Sequence, residues 1–217
     1  MEDEQNPMFN RAISGTYSPG STYKMLVGMA GLASGGITVD ELYTDPGVYP
    51  YSYNPKCWIY TAHNTTHGTI NLTGAIKGSC NCYFYEVGRR IGISQIVEWA
   101  KNFGLGQKTG IELLGEAPGN IAGENQDRWS LGDTLSASIG QSTNLFTPLQ
   151  LANYISTIAN GGTLNKVSLI KNVGNDVTSI LLSQIAEYMK EFTGVDFETK
   201  SLDISQYINP IKEGMYA

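Results

Sequence analysis

The sequence predicts a chain built mainly from α-helices, with few β-strands. Several segments place apolar residues at helical spacing, and turns rich in glycine or proline separate them. Alternating apolar and polar residues, the pattern of a half-buried strand, are rare. With 217 residues, 41% of them hydrophobic, the chain is long enough for a buried core and is not disordered throughout.

The charge balance argues against a general nucleic-acid-binding protein. The chain carries 14 basic and 20 acidic residues, a net charge of −6, whereas general nucleic-acid binders are usually basic. No apolar run approaches the roughly 18 residues of a membrane span. The acidic N-terminus has no signal-peptide pattern. We therefore expect either a cytosolic protein or a chain trimmed of its export and anchoring segments.

The first predicted helix follows a Pro-Gly turn. Residues 19–20 break the chain, Ser21 lies at the mouth of the helix, and a strongly apolar run continues to Ala33. A Gly-Gly pair at 35–36 ends this helix. Residues 43–72 are rich in Tyr, Pro, Asn and Thr and predict a long ordered loop, a kind of segment that is usually functional.

The rest of the chain predicts further helices, separated by irregular segments. Each predicted helix combines apolar residues with a start or stop signal. They are a short helix at 73–77, an aromatic-rich helix at 81–91, a helix capped by Ser94 and ended by Gly104, a helix that begins with a capping box at Thr147 and Pro148, and an amphipathic helix at 180–192. Residues 104–132 predict a glycine-rich irregular segment, and residues 167–173 predict a strand.

Two Ser-x-x-Lys patterns are candidates for nucleophilic catalysis. A serine one helical turn before a lysine shares its face, and a desolvated, neutral lysine can take the serine proton. The second pattern, Ser168 and Lys171, lies in an alternating segment that would point the two side chains to opposite faces. Ser21 and Lys24 follow a Pro-Gly turn and open an apolar helix. This pair, the first motif, is the predicted nucleophile and base.

Ser-x-Asn is a weaker pattern, and it occurs three times, beginning at Ser52, Ser79 and Ser142. Only Ser79 and Asn81, the second motif, open an aromatic-rich helix directly after a loop, a place suited to a pocket. For the other two, a turn or capping role is the default. A Lys-Thr-Gly triplet is also present at residues 108–110.

These motifs and their context resemble the class B penicillin-binding proteins, the monofunctional D,D-transpeptidases. The resemblance runs from about residue 10 to 165 and more faintly beyond. The segments that carry it are Tyr17-Ser18-Pro19-Gly20-Ser21-Thr22-Tyr23-Lys24, His67-Gly68-Thr69, Ser79-Cys80-Asn81-Cys82-Tyr83-Phe84, Phe103-Gly104-Leu105-Gly106, Ser138-Ile139-Gly140-Gln141 and Thr147-Pro148-Leu149-Gln150.

The resemblance implies an α+β fold of the penicillin-binding-protein and serine β-lactamase-like family. It also implies that residues 108–110 lie in a connecting segment, because the catalytic Lys-Thr-Gly of these enzymes follows a helix like the one expected at Gly214 and Met215. We therefore expect residues 1–217 to form a partial, mostly helical transpeptidase domain. The third motif, the anchor and much of the antiparallel sheet would be missing, and the isolated chain would be inactive.

The activity implied by the resemblance is peptidoglycan cross-linking. Ser21 would attack the D-Ala-D-Ala carbonyl of a stem peptide, Lys24 would accept its proton, and Ser79 and Asn81 would relay protons and hold the substrate amide. β-Lactams would acylate Ser21. The protein would work with cell-wall synthesis machinery on the extracytoplasmic face of the bacterial membrane.

Two functions with related chemistry stay open. One is a β-lactam-sensing receptor domain, which is acylated and does not turn over. The other is a β-lactamase or D,D-carboxypeptidase, which needs a base for deacylation by water. Glu112, Glu116 and Glu124 are acidic residues of the glycine-rich segment, and the sequence does not place them.

All three cysteines and both histidines fall between residues 57 and 82. Zinc takes tetrahedral sets of four sulfur or nitrogen ligands, so this clustering predicts a structural zinc site. The predicted ligands are Cys57, His67, Cys80 and Cys82, with His63 as the first substitute. The metal would pin the long loop to the second motif. A disulfide from Cys57 to Cys80 or Cys82, scattered unbound residues, and a bare zinc-binding structural module are the alternatives.

Overall fold

The computed structural model describes residues 8–124, 128–169 and 199–216, and helices dominate them. A 3-10 turn at Gly20–Tyr23 precedes the first helix. The helices are α1 (Lys24–Ala33), α2 (Trp58–His63), α3 (Leu72–Lys77), α4 (Asn81–Asn102), α5 (Leu131–Ser138), α6 (Pro148–Ala159) and α7 (Ser205–Tyr216). Two short antiparallel pairs join β1 (Tyr43–Thr44) to β2 (Thr69–Ile70) and β3 (Thr163–Leu164) to β4 (Lys200–Ser201). The predicted helical character is confirmed.

Helix α1 lies in the core, with every residue up to Gly31 buried. Its small residues let neighbouring elements approach closely. A Cβ added at Gly28 would lie 3.1 Å from the side chains of Leu72 and Ile211, and one added at Gly31 would lie 2.8 Å from Val87. These contacts come from α3, α7 and α4, so α1 packs closely against all three helices.

Helix α4 differs from the prediction of two separate helices. It runs over Asn81–Asn102 with a break at Gly92, where φ is 73° and ψ is 167°. Only glycine reaches this conformation without strain. The chain therefore turns at Gly92, two residues before the expected cap at Ser94.

One segment predicted to be irregular contains a helix. The long loop at 43–72 includes α2, whose six residues are too few to show a helical period in the sequence. The described residues between 104 and 130 form no helix, as predicted, and α5 begins at Leu131, behind a capping box of Ser130 and Asp133. That Ser-x-x-Asp pattern is the signal that could have predicted α5.

Helix α6 begins as predicted and supports the nucleophile turn. The Gln150 N–H donates to the Thr147 hydroxyl at 3.2 Å, and the Thr147 N–H donates to the Gln150 side chain at 3.0 Å. One turn further along, the buried Tyr154 hydroxyl donates to the Thr22 carbonyl at 3.0 Å and accepts the Leu26 N–H at 3.1 Å. Helix α6 thereby fixes the junction between the 3-10 turn and α1.

The long loop after α1 is tied to α4 by a polar network. The Tyr49 hydroxyl donates to Glu86 at 2.6 Å, Arg89 and Arg90 both donate to the same carboxylate, and Arg90 also reaches Glu41 at 2.7 Å. Burial would raise the pKa of Glu86, but the hydrogen bonds from Arg89, Tyr49 and Arg90 lower it to about 2. Glu86 is therefore ionised and anchors the loop.

The C-terminal predictions are met in part. Residues 167–169 form no strand, and the rest of the strand expected at 167–173, like the helix expected at 180–192, lies outside the described residues. The helix expected around Gly214 and Met215 is present as α7 and packs on α3, since a Cβ added at Gly214 would lie 2.7 Å from Ile76. None of the described helices is both long and apolar enough to span a bilayer.

Candidate active site

The predicted nucleophile and base lie at the start of α1. Ser21 is exposed in the 3-10 turn, and Lys24 is the first residue of α1. Lys24 is only 2% exposed. An exposed hydroxyl therefore lies one turn from a buried amine, the arrangement that the first motif predicts.

Lys24 joins the two motifs. Its Nζ donates to the Ser79 carbonyl at 2.7 Å, to Ser79 Oγ at 3.0 Å and to Asn81 Oδ1 at 2.6 Å. Ser79 Oγ in turn donates to Ser21 Oγ at 3.0 Å. The structure thus brings all four predicted catalytic residues into one hydrogen-bonded chain that ends at the exposed hydroxyl.

A left-handed residue in the turn between α3 and α4 shapes the second motif. Ser79 has φ of 50°, which is uncommon for a residue other than glycine. The Cys80 N–H donates to the Ala75 carbonyl at 2.9 Å and fixes the turn against α3. Ser79 and Asn81 therefore face Lys24, while Cys80 between them is buried in the core.

Burial lowers the pKa of Lys24 to about 8, because removal from water disfavours the charged amine. The thiols of Cys80, Cys57 and Cys82 act in the opposite direction, since negative charge there would stabilise the ammonium group. A pKa this close to neutral pH gives Lys24 a larger share of neutral amine than an exposed lysine has. A neutral amine is the form that can take a proton from a serine.

An open cleft of about 460 Å³ adjoins the nucleophile. Its volume is in the range of small-molecule sites, and the lining side chains are all uncharged. They are Ser21, Trp58, Ser79, Asn81, Ile139 and Gln141. Trp58, Ile139 and Gln141 are cleft residues that were not predicted from the sequence. Ile139 and Gln141 could have been identified from the sequence, because the segment at 138–141 is among those that carry the family resemblance.

A second cluster lies beneath the second motif. Asp45, Cys57, His67 and Cys80 each have a ligand atom within 4.8 Å of the others. His67 Nδ1 is 2.8 Å from Asp45 Oδ2 and 3.5 Å from Cys57 Sγ, and the Cys57 and Cys80 sulfurs are 3.9 Å apart. Carboxylate, imidazole and thiolate are all zinc ligands, so this donor set fits zinc.

The cluster contains three of the four predicted metal ligands. Cys82, in the first turn of α4, interacts with the Cys57 thiol but lies outside the group of four, as does His63. Asp45 is a ligand candidate that the sequence alone does not predict. Only the pairing of β1 with β2 brings it to His67, through an Asp45 N–H bond to the Gly68 carbonyl at 2.9 Å.

The thiols of Cys57, Cys80 and the neighbouring Cys82 differ in acidity. Hydrogen bonds with Cys80 and Cys82 lower the pKa of Cys57. The hydrogen bond with Cys57 and burial raise the pKa of both other thiols. Cys57 is therefore the thiol that ionises first, and the thiolate is the form in which cysteine binds a metal.

Neither Ser168 nor the Lys-Thr-Gly triplet at residues 108–110 lines the cleft. Ser168 contacts Glu112, and Lys171 lies outside the described residues. Thr109, in the middle of the Lys-Thr-Gly triplet, is buried and donates its N–H to Glu116 at 2.7 Å and its hydroxyl at 2.6 Å. In this structure, the buried carboxylate of Glu116 therefore holds the segment at residues 108–110 in place.

Comparison with known proteins places this site in a family. Residues 1–207 match the penicillin binding protein transpeptidase domain. The peptidoglycan D,D-transpeptidase MrdA of Acinetobacter baumannii is 38% identical over 165 residues, which cover 72% of this chain and 24% of that protein. The chain spans about a quarter of the length of the curated relatives that it matches.

Solved structures show the same fold. In the complex of Helicobacter pylori PBP2 with MreC, the penicillin-binding protein has a TM-score of 0.79 and 30% identity, over 99% of this chain and 37% of that chain. Penicillin-binding protein A of Mycobacterium tuberculosis, as its ceftriaxone acyl-enzyme, has a TM-score of 0.66 and 29% identity, over 79% of this chain and 38% of that chain. The chain therefore belongs to the penicillin-binding protein transpeptidase domain family, with the α+β fold that its motifs imply.

Proposed function

We propose that Ser21 is the nucleophile of a peptidoglycan D,D-transpeptidase. The observation that carries this proposal is the chain of hydrogen bonds from buried Lys24 through Ser79 to Ser21. Two relatives support it: the Acinetobacter relative is a peptidoglycan D,D-transpeptidase by name, and the mycobacterial relative was solved as an acyl-enzyme.

The geometry supports proton transfer away from Ser21. Hydroxyl protons can rotate, so with a neutral Lys24 the same chain can run from Ser21 to Ser79 and on to the amine. The Ser21 oxygen then forms a bond to the D-Ala-D-Ala carbonyl carbon as its proton moves to Lys24. The peptide C–N bond breaks, and the departing D-Ala takes that proton on its nitrogen.

The second half of the reaction reverses these transfers. The amine of a neighbouring stem peptide attacks the Ser21 ester and gives a proton to Lys24. The C–O bond breaks, and the proton returns to the Ser21 oxygen. A cross-link forms and the enzyme is regenerated, with Lys24 acting as base and acid in turn.

The positions of the acidic residues disfavour the hydrolytic alternative. Glu112 accepts the Leu169 N–H, Glu116 accepts the Thr109 hydroxyl, and Glu124 is paired with Lys101 at 2.6 Å. None of the three lines the cleft. The described residues that line the cleft therefore include no carboxylate that could activate water for deacylation.

We infer that stem peptides and β-lactams are the ligands of this cleft, and that the protein works with cell-wall synthesis machinery outside the cytoplasmic membrane. The uncharged lining suits a peptide rather than a nucleic acid. The Helicobacter relative was solved with MreC, which supports an assembly of this kind.

Product analysis tests the proposed function. The full-length gene product is incubated with a donor peptide ending in D-Ala-D-Ala and with an acceptor amine. We expect cross-linked peptide and released D-Ala from the wild type and neither from Ser21→Ala. Hydrolysed donor as the main product would support a carboxypeptidase instead, and stable acylation by penicillin without either product would support a receptor.

We also propose a structural zinc ion held by Cys57, His67 and Cys80, with Asp45 in the fourth position and Cys82 as the competing ligand predicted from the sequence. His67 Nε2 lies 2.8 Å from the Gly78 carbonyl. A hydrogen bond there leaves Nδ1, which faces Asp45 and Cys57, as the metal-binding nitrogen.

The proposed role of the metal follows from the position of Cys80. This residue lies between Ser79 and Asn81, so a metal bound to its sulfur would hold the second motif against the loop that carries Asp45 and Cys57. The ion would thereby fix Ser79 and Asn81, which accept hydrogen bonds from Lys24, without taking part in the chemistry.

Elemental analysis of protein purified without chelator tests the zinc site. We expect about one zinc per chain in the wild type and in His63→Ala, the matched control, and much less in His67→Ala. Zinc loss in Asp45→Asn but not in Cys82→Ser would identify Asp45 as the fourth ligand. Less than about a tenth of a zinc per chain, with a Cys57–Cys80 or Cys57–Cys82 disulfide by mass spectrometry, would contradict the proposal.

A further inference from the structure

The hydroxyl of Tyr154 lies at the start of α1. It accepts the Leu26 N–H at 3.1 Å and donates to the Thr22 carbonyl at 3.0 Å. In an uninterrupted α-helix, the N–H of residue 26 bonds directly to the carbonyl of residue 22. The hydroxyl thus takes up both groups of one α-helical hydrogen bond, as a side chain does where it inserts into a helix.

The winding of the chain changes at this point. Residues Gly20–Tyr23 form a 3-10 turn, and α1 begins at Lys24. A 3-10 turn has about 3.0 residues per turn and a rise of about 2.0 Å per residue, against about 3.6 residues and 1.5 Å in an α-helix. Ser21 lies in the tighter part and Lys24 begins the wider part. The winding therefore decides how the nucleophile is placed relative to its base.

No local cap holds this junction. Among the described residues, neither the 3-10 turn nor α1 has a side-chain hydrogen bond at its N-cap, where Pro19 and Tyr23 stand. Helix starts commonly rely on such a bond to satisfy their first N–H groups. Here the hydroxyl comes from α6, and Tyr154 lies 132 positions after Thr22 in the chain.

Helix α6 holds this hydroxyl rigidly. Tyr154 is fully buried, and its ring packs edge-on against that of Phe103, with the ring centres 5.3 Å apart. The Gln150 amide, one turn before Tyr154, donates to the carbonyls of Gln107 at 2.6 Å and Pro118 at 2.8 Å. Burial also raises the pKa of Tyr154, so the hydroxyl stays protonated and can donate and accept at the same time.

We propose that Tyr154 is a positioning residue for the nucleophile, because its hydroxyl fixes the winding of the turn that carries Ser21. The Ser79 hydroxyl donates to Ser21 Oγ at 3.0 Å and links it to Lys24. Rewinding of the turn would carry the Ser21 oxygen out of this contact. The proposal rests on the proposed acylation of Ser21 and adds a residue outside the cleft that controls its rate.

Removal of the hydroxyl alone tests this. Tyr154→Phe keeps the ring and lets the Leu26 N–H bond the Thr22 carbonyl directly, so a crystal structure of the variant should show α1 beginning before Lys24. A misplacement of about 1 Å can cost 100-fold in rate. We therefore expect the second-order rate constant for acylation of the full-length protein by benzylpenicillin to fall roughly 10- to 100-fold.

Tyr23→Phe is the matched control. The Tyr23 hydroxyl is also fully buried and belongs to the same 3-10 turn, but the described residues give it no hydrogen-bond partner. Its removal breaks no hydrogen bond at the junction. The acylation rate constant of Tyr23→Phe should therefore lie within about twofold of the wild-type value.

The pH profile separates positioning from a general loosening of the core. A positioning role leaves Lys24 buried, so acylation of Tyr154→Phe should still rise with a midpoint near pH 8 and reach a lower plateau. Loosening would admit water to Lys24 and move the midpoint upward, toward the pKa of an exposed lysine.

Three results would overturn the proposal. They are acylation of Tyr154→Phe at the wild-type rate, an equal loss in Tyr23→Phe, and a loss in Tyr154→Phe that is accompanied by an upward shift of the midpoint. A wild-type protein that benzylpenicillin does not acylate would contradict the proposed function itself, and is therefore distinct from these three results.

Discussion

Lys24 shows how a charged side chain can be buried at a reactive site. Its three hydrogen bonds to Ser79 and Asn81 match the three donors of an ammonium group, so the charged form is satisfied although almost no water reaches it. Burial nevertheless favours the neutral amine. The residue is thus held in place when charged and is able to accept a proton when neutral.

Replacing Lys24 with methionine should slow acylation of Ser21 by about 10²- to 10⁴-fold, the usual worth of a positioned general base. Methionine keeps the bulk of the side chain and removes the amine. The rate of labelling by a fluorescent penicillin measures the effect. A rate near that of the wild type would show that another group takes the Ser21 proton.

The pKa of Lys24 also predicts a pH dependence. Burial lowers this pKa to about 8, so the neutral base is scarce below that pH and predominates above it. The acylation rate should therefore rise with pH between about 6 and 8 and level off near pH 9. A stopped-flow series over that range tests the slope, and a flat profile would contradict a base role for Lys24.

The sequence predicts the catalytic residues better than the rest of the site. Ser21 and Lys24 are separated by one helical turn, so local spacing alone pairs them. Asp45 and Gln141 reach the site only through tertiary contacts, the β1–β2 pairing and the packing of Gly140 on Gly20. No local spacing could predict such contacts.

Gly140 is the point where the turn after α5 meets the nucleophile turn. Gly140→Ala would place a Cβ against the Gly20 backbone at 2.2 Å, where no flexible side chain can move aside. We expect a stability loss above about 2 kcal/mol and at least a tenfold slower acylation of Ser21. Chemical denaturation and penicillin labelling measure the two effects.

Gly35→Ala is the matched control for that substitution. Gly35 has nearly the same φ, 70°, and a Cβ added there meets nothing within 4 Å. Gly35→Ala should lower the free energy of unfolding by only about 1 kcal/mol, the cost of the left-handed conformation itself, and should leave the acylation of Ser21 normal. Equal effects of the two substitutions would show that backbone packing at Gly140 is unimportant.

The segment at residues 108–110 allows a second test, of how Glu116 stabilises it and of whether Lys108 takes part in catalysis. Glu116→Ala would leave the buried Thr109 N–H and hydroxyl without their acceptor, and should lower the free energy of unfolding by about 2–4 kcal/mol. Lys108→Ala should change stability by less than about 0.5 kcal/mol and leave acylation unaltered. A large loss of acylation in Lys108→Ala would give the triplet a catalytic role.

Helices with a strong local signal are the ones that the sequence predicts correctly. The buried apolar run predicts α1, and the capping box predicts the start of α6. Helix α2 is only six residues long, so no helical period marks it in the sequence, although Ile59 and Tyr60 pack on the core. The break at Gly92 was misplaced because a capping serine two residues later looked like the stronger boundary.

The packing of the helices explains why the first and second motifs meet. Buried α1 contacts α3 and α4, so the start of α1 lies against the turn between them. The loop with Asp45 and Cys57 then packs beneath that turn, and the turn after α5 packs beside Ser21. Each wall of the cleft therefore comes from a different part of the chain, assembled around one buried helix.

Mapping the site of penicillin acylation tests this account most directly. The full-length protein is labelled with benzylpenicillin, digested and analysed by mass spectrometry, beside Ser21→Ala and Ser168→Ala. We predict a single acyl adduct on the peptide that contains Ser21, its absence in Ser21→Ala and its retention in Ser168→Ala. An adduct on Ser168 or Ser142, or labelling that survives in Ser21→Ala, would contradict the assignment of Ser21 as the nucleophile.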